Sequence, residues 1–314
     1  MYVTSPNKDP TYYSLKLLRV CGLHPDSRSK LLYVYFCVNY SCFMVILTLA
    51  ITGVATTYDT NIFEAIENLQ TVFLYIHLLG KYPNMFFKKH KLAYLLQQRS
   101  KFWSVEKFSG DIRKECDAIL TTTTKFVRYF IVITFLVIMN FFLQPILTGD
   151  LPVRFKLLAH KFENLTIENK AGFEKEVKKI VDHQNFLMEY CQEINHYTNA
   201  IFLNQVIVST AIICMQLFIV SQKEFLLPNK LKCLGYCLME IVETVIYCFN
   251  AELLSEASEN VGNAAYNSKW YDTNVSELRK SIVLVISRSQ KRIVFSGFGL
   301  VLINLKTFTQ DLTH

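Results

Sequence analysis

Long uninterrupted apolar runs, not alternation, dominate this chain. Between Lys30 and Asp59 lie 28 residues without a charge. Further uncharged runs occupy residues 129–149 and 195–222, the last with a single histidine, His196. At 1.5 Å of rise per residue, each is long enough to cross about 30 Å of hydrocarbon. Two weaker apolar stretches carry charges: Glu64, Glu67 and His77 within 62–80, and Lys232, Glu240, Glu243 and Glu252 within 231–254. The pattern predicts about five full spans. Upstream of residue 195 the period changes. Val177, Ile180, Val181, Gln184, Leu187, Met188, Cys191 and Ile194 recur mostly three or four apart, as on one helix face. No Pro or Gly separates this stripe from the uncharged run that follows, so one long helix is predicted, partly outside the bilayer. Its apolar stripe needs a partner there. Residues 281–287 predict a short apolar helix that cannot span.

Composition moves this from a helical to a membrane class. Charged residues are 19% of the chain, against about 25% in ordinary soluble domains. Seven Pro and ten Gly leave little room for flexible joints, and no internal repeat is visible. The expected fold is all-α, a polytopic membrane helical bundle. Its parts are a cytoplasmic N-terminus over 1–30, a bundle over 31–254 with a cytoplasmic helix at 154–197, and a cytoplasmic anchor segment over 255–314.

Loop charges orient it. Residues 1–30 hold no apolar run behind a charged start, so no signal peptide is expected. Lys8, Lys16, Arg19, Arg28 and Lys30 precede the first span and keep the N-terminus intracellular. Residues 56–61 lack Lys and Arg and belong outside, whereas 81–125 carry ten and belong inside. The alternation then fails. Residues 150–196 should lie outside, yet they hold Arg154, Lys156, Lys161, Lys170, Lys175, Lys178 and Lys179. The same parity exposes Lys269, Arg279, Lys280, Arg288, Lys291 and Arg292. One more crossing between Pro145 and Arg154 would restore the pattern, but a crossing needs about twenty residues. A span is expected to be missing there.

Candidate chemistry is sparse. Glu240 and Glu243 share a helix face at i and i+3, which suits either a water-filled vestibule or ion path, or burial against a polar partner. His77, near a span end, fits interfacial solvation. Six of the nine cysteines fall in spans (Cys37, Cys42, Cys214, Cys233, Cys237, Cys248) and read as small packing residues. His160, His183 and His196 are far apart on a basic, solvated stretch and read as no metal site. Without a phosphate loop or nucleophile elbow, no enzyme and no cofactor are expected. Lys88, Lys89, His90 and Lys91 suit anionic membrane lipid rather than nucleic acid. The sequons at Asn39, Asn164 and Asn274 fall in the first span and in cytoplasmic segments, so none should be glycosylated.

Residues 247–308 carry the most specific signal. An apolar helix leads into an acidic, small-residue segment, then Trp270 and Tyr271, then a short apolar helix ending in Arg288, Ser289, Gln290 and Lys291. A glycine-punctuated apolar tail follows. This order resembles the C-terminal region of insect odorant receptors, ligand-gated cation channels with seven spans and an intracellular N-terminus. A gustatory receptor shares that plan, but Trp270, Tyr271 and the Arg-Ser-Gln-Lys run favour the odorant branch. Arg292 stands where the family often has Pro.

The resemblance implies a receptor for small volatile apolar odorants in the plasma membrane of olfactory sensory neurons. It implies assembly with the family's co-receptor as a hetero-tetramer, through cytoplasmic helix extensions that form an anchor. Its odorant pocket would lie in the outer half of the bundle. There the candidates by depth are Ile62, Phe63 and Ile66, then Ile138, Met139, Phe141, Phe142 and Gln144, then Tyr236, Met239 and Glu240. Residues 154–165 resemble the family's cytoplasmic segment joined directly to the third span, with the outer loop and fourth helix cut out. Residues 304–308 match the start of the pore-lining helix, with six residues after them, so the chain as given is expected to pass no current alone.

Overall fold

The computed structural model describes residues 15, 30–60, 62–135, 148–165, 170–223, 226–268, 270 and 276–305. Among them the elements are α1 (Lys30–Thr57), α2 (Ile62–Phe87), α3 (Lys89–Gln98), α4 (Asp111–Phe135), α5 (Leu151–Glu163), α6 (Lys170–Ser221), α7 (Leu227–Asn267) and α8 (Ser276–Ser289). Two short strands, β1 (Phe295–Gly297) and β2 (Val301–Ile303), pair as a hairpin. The glycine-punctuated tail thus adds a small β element to an otherwise helical chain. Phe298, at φ 53, and Gly299, at φ 74, turn it, a left-handed geometry that glycine adopts without steric cost.

The stripe upstream of residue 195 and the uncharged run beyond it form one helix, α6, of 52 residues. At 1.5 Å per residue it is about 78 Å long, more than twice a hydrocarbon core. The short helix is longer than 281–287: α8 has 14 residues, still about 21 Å and too short to span. By length and composition, Tyr33–Thr57 and Gly172–Ser221 qualify as candidate membrane spans, each holding an 18-residue stretch of mean hydropathy 2.0. The weaker stretches 62–80 and 231–254 lie inside the continuous helices α2 and α7. The run at 129–149 begins within α4, and residues 136–147 lie outside the described residues.

The chain divides into two compact units. The first comprises the described residues of Leu18–Ala93, Tyr197–Cys248 and Ser296–His314. Its α1 and α2 form an antiparallel pair: Gly53 sits against Asn68, Phe43 meets Tyr75, and Phe36 stacks on Phe86 with ring centroids 3.9 Å apart. Val34, Val38, Val45, Leu49 and Ile51 of α1 face outward, the surface hydrocarbon requires. Its hydroxyls turn back on the helix, Thr48 Oγ1 donating to the Met44 carbonyl at 2.8 Å and Thr57 Oγ1 to Gly53 at 2.7 Å. Both hydroxyls are thereby satisfied without water, which hydrocarbon does not supply.

The second unit comprises the described residues of Met1–Leu17, Tyr94–His196 and Phe249–Phe295. Val105, Phe108, Cys116, Leu120, Val153 and Leu157 form its core, flanked by Trp103, Ile112 and Ile119. Pro152 opens α5, where its missing N–H costs nothing.

Gly297 is fixed by close approach rather than by φ. A Cβ there would lie 2.9 Å from the Leu203 backbone nitrogen, and backbone cannot step aside as a flexible side chain can. Gly297→Ala is therefore expected to destabilise the purified protein by about 1–3 kcal/mol. Gly172→Ala, in open space on α6, should be neutral or stabilise by up to about 1 kcal/mol. Thermal unfolding of both variants in detergent compares the two.

Candidate functional site

In the first unit α2, α6 and α7 bring five polar side chains together. Lys81 is only 1% exposed, and its ammonium lies 3.1 Å from Glu243 Oε1. It also donates to Gln205 Oε1 and lies over the Tyr247 ring, 5.8 Å from the centroid. Gln205 Nε2 donates to Ser209 Oγ at 2.8 Å, and Ser209 Oγ donates to Glu240 Oε2 at 2.8 Å. One ammonium thus serves two carboxylates through an amide and a hydroxyl. Of the two readings open for Glu240 and Glu243, the structure supports burial against polar partners. Lys81 was not a candidate from sequence. It falls just past the apolar stretch and looks like an interfacial charge, and only the spatial pairing with α6 and α7 marks it.

In the second unit the buried carboxylate is Asp150. Its Oδ2 accepts from Arg99 Nη2 at 2.8 Å and from Arg154 Nη2 at 3.2 Å. Burial alone would raise its pKa, but the two guanidinium groups outweigh burial and hold the carboxyl below its usual range. Arg154 also donates to the Trp103 carbonyl and caps the Phe102 ring at 5.3 Å. Trp103 stacks flat on His183, centroids 4.0 Å apart at 5°. His183 is accordingly buried, which corrects the expectation of a solvated histidine, whereas His196 is exposed. Burial, reinforced by the positive charge of Arg154, lowers the His183 pKa to about 4.

The Arg-Ser-Gln-Lys run has a structural role here. Ser289 is buried, accepts a hydrogen bond from Gln184 Nε2 at 2.8 Å, and sits where a Cβ on Gly262 would be 2.9 Å away. Arg288 Nη1 donates to Asn185 Oδ1 at 2.8 Å. Gln290 and Lys291 are exposed. Trp270 Nε1 donates to the Tyr266 carbonyl at 3.1 Å, and Tyr271 lies outside the described residues.

The pocket candidates are less unified. Ile66 is half-buried on α2, while Tyr236 and Met239 on α7 are 49% and 39% exposed. Phe63 is placed on α2 by its backbone alone. Ile138, Met139, Phe141, Phe142 and Gln144 lie outside the described residues. The structure therefore brings together the polar residues of α2, α6 and α7 more tightly than the apolar ones proposed beside them.

The sequence profile of the 7tm odorant receptor family matches residues 142–312, more than half of the chain. The chain belongs to that family. It is 22% identical over 126 residues to Odorant receptor 22c of Drosophila melanogaster, covering 40% of this chain and 31% of that one. It is 31% identical over 112 residues to Putative odorant receptor 85d of the same fly, covering 35% and 26%. With Odorant receptor Or2 of Anopheles gambiae it shares 23% over 137 residues, covering 44% and 36%. The matched stretch thus spans about a third of these curated relatives. The solved insect olfactory receptor OR5 of Machilis hrabei superposes with TM-score 0.77 at 13% identity, covering 96% of this chain and 94% of that one. The same receptor solved in complex with eugenol superposes with TM-score 0.72. The fold is that of an insect olfactory receptor, a membrane helical bundle.

Removing one member of a buried ion pair strands the other. Lys81→Met should cost about 3–5 kcal/mol in unfolding free energy, with Lys81→Met/Glu243→Met recovering most of it; a double-mutant cycle in detergent tests this. His183 gives a pH prediction. Its folded pKa, about 4, lies below that of the unfolded chain, about 6.5, so the unfolded state takes up the proton first. Its contribution is full above pH ~6.5 and is lost as pH falls towards 4. His183→Phe keeps the stack on Trp103 and should flatten that slope, read as unfolding midpoints across pH 4–7.

Proposed function

We propose that this chain is the ligand-binding subunit of an odorant-gated cation channel for small volatile apolar molecules. It would work as a hetero-tetramer with the family's co-receptor, in the plasma membrane of olfactory sensory neurons. Membership in the 7tm odorant receptor family, over residues 142–312, carries this reading. The likeness in fold to a receptor solved with eugenol supports it.

Physically, a volatile ligand has few polar atoms, so its affinity comes from burial, about 25 cal/mol per Å2 of apolar surface. The apolar positions outward of the Lys81 network suit that task. Phe63 and Ile66 on α2 and Tyr236 and Met239 on α7 are the proposed lining within the first unit. Ligand binding would act by favouring the open member of a pre-existing pair of states. Trp270, Tyr271 and the run from Arg288 to Lys291 serve the anchor, not the ligand.

We also infer that a span has been lost between α4 and α5. Lys156 of α5 pairs with Glu115, and Val153 and Leu157 pack with Cys116 and Leu120, all in the first half of α4. From Leu120 to Phe135, α4 advances about 22 Å. The sequence provides twelve residues, 136–147, before Thr148, whereas a returning helix needs about twenty.

Two measurements check these readings. Co-expressed with the co-receptor, the tagged chain is expected to co-purify with it and to bind apolar volatiles saturably in nanodiscs. Failure to bind any member of a broad panel would overturn the receptor reading. Sequencing antennal transcripts across Pro145 to Phe155 is expected to yield a product with an inserted span. Recovery of the short product alone contradicts the loss.

A further inference from the structure

Three described side chains of the first unit hold a buried polar atom without a hydrogen-bond partner, the Tyr197 hydroxyl and the amides of Gln70 and Gln216, and the two amides lie on different helices, α2 and α6. Gln216 on α6 is 2% exposed, and its Oε1 is buried without a hydrogen-bond partner. Gln70 on α2 has its Nε2 buried and equally unpartnered. Each stranded atom costs more than an ordinary hydrogen bond returns, because water is withdrawn and nothing replaces it.

Their positions correspond. α2 and α6 meet where Lys81 donates to Gln205 and where Gly80 lies against Asn204. Loop charges run α2 from outside to inside and α6 from inside to outside. Gln70 lies eleven residues outward of Lys81, and Gln216 lies eleven residues outward of Gln205. Eleven residues make three turns, about 16 Å, with only about 20° of drift around the axis. Both amides therefore occupy one depth, on the helix faces that meet at Lys81. On α6 that face is a continuous buried stripe of Gln205, Ser209, Ile212, Gln216 and Ile219. On α2 it carries Ile66 and Phe63, one and two turns outward of Gln70.

We propose that Gln70 and Gln216 form the hydrogen-bonding end of the odorant site, selecting a small apolar molecule that carries one hydroxyl. This rests on the odorant-binding reading above and narrows its ligand class. A hydroxyl donates once and accepts twice, so it satisfies the Gln216 oxygen and the Gln70 N–H together. The hydrocarbon body then lies along the apolar positions of α2 outward of Gln70. An ether of equal length accepts but does not donate, and leaves Gln216 stranded. An alkane leaves both stranded. A site built around a hydroxyl rejects its apolar analogue far more strongly than an apolar pocket rejects an added hydroxyl.

The test uses the purified full chain in lipid nanodiscs, tritiated 1-octanol as probe, and octyl methyl ether and nonane as competitors, with empty nanodiscs subtracted. The expected result is saturable 1-octanol binding, displaced by the ether at least roughly tenfold more weakly than by unlabelled alcohol. Gln216→Leu, which removes the acceptor that only the alcohol can serve, should bring the two within about twofold with ether affinity held or improved, whereas Gln70→Leu should weaken both and keep the alcohol preferred. The wild-type comparison of alcohol and ether needs no variant to fold. Saturable binding with equal affinity for alcohol and ether overturns the inference while odorant binding stands; it is the result expected if the two amides meet only each other or a trapped water. A preference intact in Gln216→Leu overturns it in the same way. No saturable binding of any probe overturns both this inference and the receptor reading.

Discussion

An apolar layer offers no water to a polar side chain, and that constraint organises the first unit. Away from the helix ends and the turn before Pro83, helical geometry lets the backbone groups of α1, α2, α6 and α7 pair within their own helix, and the hydroxyls of Thr48 and Thr57 fold back likewise. Side chains too long for that must find one another. Lys81, Gln205, Ser209, Glu240 and Glu243 do so across three helices. Such a network adds little to net stability compared with an apolar core. It does fix which faces meet, because any other register leaves a charge unpaired. The same logic gives Gln70 and Gln216 their interest: they are buried polar atoms that the chain does not itself complete.

The second unit solves a related problem with a different device. Asp150 is held between Arg99 and Arg154, and Arg154 in turn spans Phe102 and the Trp103 carbonyl. Here a planar guanidinium, able to bond and stack at once, joins the loop after α3 to the start of α5. His183, neutral over most of the physiological range, serves as an aromatic partner for Trp103 rather than as a charge.

What the sequence disclosed follows from the range of each signal. Apolar runs and a stripe three or four apart are local, so α1, the 52-residue α6 and the helix around Glu240 and Glu243 were legible. Charge parity is also a sum over local counts, which is why sequence alone yields the expectation of a further crossing between Pro145 and Arg154. The role of Lys81 was not legible, because a lysine at the end of an apolar stretch looks alike whether it meets lipid headgroups or a buried glutamate. His183 was misplaced for the same reason: its neighbours in sequence are polar, but its neighbour in space is Trp103. The hairpin at Phe295–Gly297 and Val301–Ile303 escaped because strands of three residues leave no periodicity to count.

The run from Arg288 to Lys291 marks the chain in sequence, yet only part of it is buried. Ser289 locks to Gln184 and lies over Gly262, and Arg288 holds Asn185. A signature that looks like one short word is therefore half of a sentence, with its other half a hundred residues upstream. Ser289 is thus held from outside its own helix, by the Gln184 amide and by the lack of a side chain at Gly262. Searches keyed to the visible run alone would pass over receptors that have changed both halves together.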